Sequence, residues 1–245
     1  MAIRVSLTTA RHTGGMFRTA TALAAMLALA ACSALPESTE HRSSSRDRDR
    51  PAQSAAAPQI SNNPEARQCL AELGTTQASF DPLPDQYFGG GCSALNTVKL
   101  SGLRSDQASI ALANLGPVTC PVADTFAAWA RYGVDRAARQ LLGSGLRTIE
   151  TMGSYSCRDV AGSGRRSAHA SAAAIDIAAF VLEDGRRISV LGGWSGGSGA
   201  EREFLRVVHR SACKRFDTVL GPDYNTAHHD HLHVEGVIGT KSYCR

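Results

Sequence analysis

Seven cysteines are spread along the 245-residue chain, and the position of the first decides how the other six are read. Cys32 closes TATALAAMLALAA, residues 19–31, a run of small and apolar residues that follows Arg18. The run has the length of a secretory signal core and is too short to cross a bilayer as a permanent helix. The chain is therefore expected to be exported, so that Cys69, Cys92, Cys120, Cys157, Cys213 and Cys244 meet an oxidising compartment. An even number there predicts up to three disulfides, among fifteen pairings that the sequence cannot separate. No two of the six form a Cys-x-x-Cys pair, which argues against a thiolate zinc site and for structural staples. A fold for this chain must bring cysteines of distant segments together in pairs.

The leader carries a further reading. Leu29-Ala-Ala-Cys32 resembles the bacterial lipoprotein signal, in which residues 1–31 are removed and the Cys32 sulfur takes a lipid. That resemblance implies a membrane partner reached through the lipid. An ordinary secretory signal with a coincidental cysteine is the alternative. Ser33, standing where aspartate would retain a lipoprotein at the inner membrane, implies the periplasmic face of the outer membrane; the alternative leaves the chain free in the periplasm. Residues 33–66 are rich in Ser, Pro, Ala and alternating Arg/Asp with almost no large apolar side chain, so burial cannot offset the entropy of ordering. Residues 32–66 read as a flexible tether and 67–245 as one domain. Three of the four net positive charges come from Arg4, Arg11 and Arg18, in a leader without Asp or Glu. The near-neutral remainder offers no argument for a nucleic-acid partner.

Within the domain, NPEARQCLAEL reads as a short capped helix, and PVADTFAAWARYGVDRAARQLLG as a long one ending at Gly143. LRTIETMGSYSC alternates as a strand, and AIDIAAFVLEDGRRISVL holds two strand-like runs around Asp184-Gly185, a hairpin signal. GGWSGGSG is expected to be a loop, AEREFLRVVHRSACKRF an amphipathic helix and HLHVEGV a last strand. The expected fold class is α+β: a small, mostly antiparallel sheet flanked by helices and stapled by disulfides.

Half of the chain's eight histidines lie in HHDHLH, residues 228–233. On a strand over 231–235, His231 and His233 face the same side, because side chains alternate with period 2. Two imidazoles so placed can serve one zinc site, one on the metal and one reaching its water. His229 gains no role from this placement, and the direction of His228 is undefined. A zinc hydrolase needs three protein ligands and a base to take the water's proton. SAHASAAAIDIAAF, residues 167–180, supplies the remainder if His169 lies in a loop leading to a strand that contains Asp176. Taken alone, His169 among alanines reads as structural, and Asp176 between isoleucines as a buried, hydrogen-bonded carboxylate. Asp230 and Glu235 are candidates for orienting imidazoles or are simply solvated. Trp194 either lines a groove or caps the core, and His209 reads as no ligand.

Ser167-x-His169-x6-Asp176 with a later His231-x-His233 resembles the zinc peptidases of the lysostaphin, D-Ala-D-Ala carboxypeptidase and hedgehog group. Across about 67–245, CSALNTVKLSGL, VTCPVADTFAAW, GSYSCR, AIDIAAF and GPDYNTAHHDHLHVE resemble the bacterial extensin-like C-terminal domain family. Carried across by motif, the resemblance implies a hedgehog/DD-peptidase-like fold, with Zn2+ held by His169, Asp176 and His233. His231 takes the place of the catalytic histidine, and His228 that of an additional histidine found in some murein endopeptidases. Ser167 occupies the serine before the first ligand, which hydrogen-bonds substrate. Arg158, in GSYSCR, is a candidate for gripping a substrate carboxylate through its planar fork; its bland reading is a surface arginine beside a disulfide. One departure stands out: Ala172 occupies the position where the carboxypeptidases carry glycine in His-x-x-Gly-x-Ala-x-Asp. Its methyl group either crowds the site or marks a subfamily. The expectation is a zinc metallopeptidase acting on peptidoglycan or other cell-envelope peptides. The competing expectation is a non-catalytic envelope-binding module that keeps a structural zinc.

Overall fold

The computed structural model describes residues 59–245. The signal segment, Cys32 and most of the tether lie outside those residues. The first helix, α1 (Pro64–Thr75), begins inside the stretch expected to be tether, where Asn63 caps it by accepting the Ala66 N–H at 2.8 Å. Six short strands follow: β1 (Ser79–Pro82), β2 (Gln86–Gly89), β3 (Cys92–Ala94), β4 (Thr97–Arg104), β5 (Ser109–Ala113) and β6 (Val118–Thr119). The predicted long helix is a continuous helical run made of α2 (Cys120–Trp129), a π-helical segment Ala130–Asp135 and α3 (Arg136–Leu142). It stops at Gly143, whose φ of 71° is the left-handed cap that glycine adopts without strain. Then come β7 (Leu146–Gly153), β8 (Ala174–Leu182), β9 (Arg187–Ser189), α4 (Val190–Gly196), α5 (Gly199–Ala212), β10 (Thr218–Leu220), β11 (Leu232–Glu235) and β12 (Tyr243–Cys244).

The main sheet runs β1-β4-β5-β7-β8-β11-β10-β12, with β6 beside β4 and β9 beside β8; β2 and β3 form a separate hairpin. It is mixed rather than mostly antiparallel, because β5 pairs β7 and β10 pairs β12 in parallel. A parallel pair needs a long crossover, and the helical run from α2 to α3 supplies it between β5 and β7. The hairpin predicted at Asp184-Gly185 forms, joining β8 to β9 with Gly185 at φ 90°.

One core joins Phe126, Trp129, Phe204 and Val208 of the helices to Ile149, Ile175, Ile177 and Phe180 of β7 and β8. Trp129 is its hub: its ring lies 5.7 Å from Phe126, 6.1 Å from Phe180 and 6.2 Å from Phe216, and its indole N–H donates to the Val208 carbonyl at 3.1 Å. The expected loop GGWSGGSG is mostly helix α4. Ser189 caps it, accepting the Gly192 N–H at 3.1 Å, and its glycines allow close approach to α5. A Cβ on Gly193 would come within 2.8 Å of the Leu205 side chain. Helix propensity yields here to packing. Trp194 is correspondingly a core residue, its N–H donating to Asp223 at 2.8 Å beneath the Arg206 guanidinium.

The six cysteines form Cys69–Cys120, Cys92–Cys157 and Cys213–Cys244. The first ties α1 to α2. The second ties the β2–β3 hairpin to the segment after β7, and the third ties the end of α5 to β12.

Candidate metal centre

β8 and β11 pair antiparallel with Asp176 directly opposite His233. Ile175 and Ile177 point into the core, so alternation turns Asp176 to the face of the sheet away from the helices. His169 arrives from a 3-10 turn, Ala168–Ser171, between β7 and β8. Ser167 caps that turn by accepting the His169 N–H at 3.4 Å, and the His169 carbonyl accepts the Ser156 N–H at 3.0 Å. Ala172 ends the turn at φ 55°, ψ 25°, the left-handed backbone that glycine would supply at no cost. The alanine thus keeps the glycine-like turn rather than deforming it.

Donor atoms of three residues converge. His169 Nε2 lies 3.1 Å from Asp176 Oδ2 and 3.3 Å from His233 Nδ1, and His233 Nδ1 lies 2.9 Å from Asp176 Oδ1. A tetrahedral zinc with bonds of about 2.0–2.1 Å separates neighbouring ligand atoms by about 3.3–3.4 Å, so the spacing of the two imidazole nitrogens suits such a centre, with the carboxylate turning one oxygen to each. The outer nitrogens are committed elsewhere. His169 Nδ1 donates to the Ser154 carbonyl at 2.9 Å, and His233 Nε2 donates to Glu235 at 3.1 Å. Each outer hydrogen fixes the ring and leaves the inner nitrogen's lone pair for the centre. Two imidazole lone pairs and a carboxylate facing one point, with His169 and His233 buried, form a donor set that fits a divalent cation such as zinc.

The electrostatics agree. Burial opposes protonation of His233, but its hydrogen bonds to Asp176 and Glu235 outweigh burial and raise the imidazole to about 9. Burial also opposes ionisation of Asp176; the His169 and His233 imidazoles beside it overcome burial and hold the carboxyl well below its usual range. Glu235 is lowered by its hydrogen bond with His233. Without a metal, the proton on His233 is the cation of the site, and a metal must displace it.

The other predicted residues surround this triangle. His231 precedes β11; its Nδ1–H donates to Asp230 at 2.8 Å, and its Nε2 stands 3.6 Å from Asp176 Oδ1. The His228 ring is 5.1 Å from that of His231 and 5.9 Å from that of His233. Partial burial, then the neighbouring His231 and His233, lower its pKa to about 4. His229 is exposed, its Nδ1–H donating to the Thr226 carbonyl at 2.8 Å. Arg158 is exposed on this side of the molecule, near enough for its charge to help depress His228. Ser167 is buried, and its hydroxyl oxygen accepts the His169 N–H, which helps to position that turn. The two acids the sequence left open, Asp230 and Glu235, both orient imidazoles. The Ser154 carbonyl escaped sequence reasoning, since a main-chain acceptor leaves no trace in residue identity.

A second cluster of metal-ligating types, His209, Cys213 and Cys244, lies where the end of α5 meets β12. Its two sulfurs are joined in a disulfide, and His209 Nε2–H donates to the Arg245 carbonyl at 3.0 Å. It offers no thiolate. Among families, the model described as extensin-like protein C-terminus matches residues 67–245. No curated protein and no solved structure matches the chain.

Proposed function

The chain belongs to the extensin-like C-terminal family, and from that premise we propose that it is an exported, zinc-dependent peptidase of the cell envelope. Its substrates are peptidoglycan stem or cross-link peptides. The observation that carries this reading is the triangle of donor atoms from His169, Asp176 and His233, each imidazole anchored from behind. The leader and the Leu29-Ala-Ala-Cys32 ending support export and a lipid anchor on Cys32, with the domain at the periplasmic face of the outer membrane.

His169 Nε2, Asp176 and His233 Nδ1 would hold the zinc, which supplies polarisation of an amide carbonyl and lowers the pKa of an attacking water towards ~7. His231 is the proton carrier. Asp230 fixes its Nδ1–H, so Nε2 presents a lone pair at the edge of the triangle, 3.6 Å from Asp176. The same nitrogen returns the proton to the departing amine. His228, neutral near pH 7, adds an uncharged edge beside it. Arg158 grips a substrate carboxylate at the rim.

Purified sacculi incubated with wild type are expected to release new muropeptides. His231→Ala should slow release by roughly 10²-fold or more while retaining its metal. A wild type that holds its metal and releases nothing would exclude the peptidase and leave the envelope-binding module. That second reading drew on Ala172; the preserved left-handed turn and ligand spacing weigh for the enzyme.

A further inference from the structure

The register between β7 and β8 is broken twice beside the metal centre. Glu150 pairs with Ala179 and Thr151 with Ile177, which leaves Ala178 as an extra residue in β8; Gly153 then pairs with Asp176, which leaves Met152 as an extra residue in β7. Bulges of this kind redirect side chains next to functional sites. Here both extra residues line one groove of about 470 Å³, together with Ala113, Asn114, Glu150 and Thr151. The groove therefore starts two residues along β8 from the ligand Asp176 and crosses β8 and β7 towards the end of β5. Its lining combines the small Ala113 and Ala178 with the exposed, pliable thioether of Met152 and the polar Asn114, Glu150 and Thr151. Arg187 of β9 bonds Glu150 through Nε and Nη2, both to Oε2. Oε1 accepts nothing among the described residues.

We propose that this groove is the subsite for the peptide chain beside the scissile amide, and that Glu150 receives an ammonium group of that chain. The proposal rests on the peptidase reading for the position of the scissile bond. Glu150 pairs with Ala179, three residues along β8 from Asp176, so the two lie roughly 11 Å apart by strand rise and interstrand spacing, the span of about three extended residues. The substrate class is thus a peptide with small side chains next to the cut and a free amine about three residues away. Arg187 holds the carboxylate in place and leaves one oxygen for the ligand.

The domain offers a local reporter, because Met152 is the one methionine beyond residue 26. The full chain, zinc-loaded and labelled at methionine methyls, is titrated with soluble muropeptides bearing free amines and with the same muropeptides after N-acetylation. Met152→Leu assigns the signal. Free-amine muropeptides should move the Met152 methyl, and acetylation or Glu150→Gln should weaken binding by roughly tenfold or more. Ala178→Leu, which fills the groove, should abolish both the movement and the cleavage while metal content stays at the wild-type level. A Met152 signal unmoved by muropeptides, or an Ala178→Leu protein that binds and cleaves like wild type, would overturn the subsite. Equal binding of free and acetylated muropeptides would overturn the role of Glu150. Movement of Met152 without any cleavage would keep the subsite and sink the peptidase reading instead.

Discussion

Among the described residues two clusters gather metal-ligating residue types within 4.8 Å, and one of the two is arranged to use them. At His209, Cys213 and Cys244 the sulfurs are spent on each other and the imidazole Nε2–H on a main-chain carbonyl, so no thiolate is left to bind. At His169, Asp176 and His233 the outer nitrogens are committed and the inner nitrogens face one point, where a metal can take the place of the His233 proton. Residue type nominates a site; the atoms left over after internal bonding decide it.

The largest test of that contrast is to break the disulfide. Cys213→Ser with Cys244→Ser removes a cross-link of sequence separation 31, and the cost should be about 3–4 kcal/mol by denaturant titration. Zinc content should not change; its loss from a still-folded variant would mean that the clusters are not independent. Next comes pH, where the clusters should titrate in opposite senses. In the metal-free chain His233 is raised to about 9, so its contribution is complete below 6.5 and is lost as pH rises through about 9. The loss is on the order of 3 kcal/mol. His209 is lowered, chiefly by burial, so its contribution is present above 6.5 and is lost in acid. Thermal unfolding across pH 5–10 with a chelator (about this range brackets both titrations) should show the alkaline loss, and saturating zinc should remove it. An alkaline limb unaffected by zinc would separate His233 from the metal. Smaller still, Glu235→Gln should weaken zinc binding by roughly 10–100-fold in a chelator competition, because the ring loses its charged anchor. Smallest is Ala172→Gly. It relieves a left-handed alanine and loosens the unfolded chain, for a net gain of at most about 1 kcal/mol by denaturant titration, with zinc content unchanged.

The half of the site that lies on strands was legible because strands are periodic. Ile175-Asp176-Ile177 and Leu232-His233-Val234 each place a polar residue between core residues, and pairing two such strands brings Asp176 against His233. His169 could be nominated by spacing, but not placed: its turn depends on the Ser167 cap, the left-handed Ala172 and the Ser154 carbonyl, none of which has a period. Glycines misled at α4, where Gly193 marks close helix packing rather than a loop. The parallel β5–β7 pair and the cysteine partners are long-range choices, set by how the crossover helix packs, and no local pattern encodes them. Bulges at Met152 and Ala178 were invisible for the same reason.

The most direct measurement is the metal content of the purified full chain beside that of Asp176→Ala. About one zinc per wild-type chain is expected, tetrahedral by X-ray absorption with two imidazoles and oxygen donors. Asp176→Ala should be folded and essentially zinc-free. A folded wild type that takes up no zinc, or an Asp176→Ala protein that retains it in full, would contradict the account.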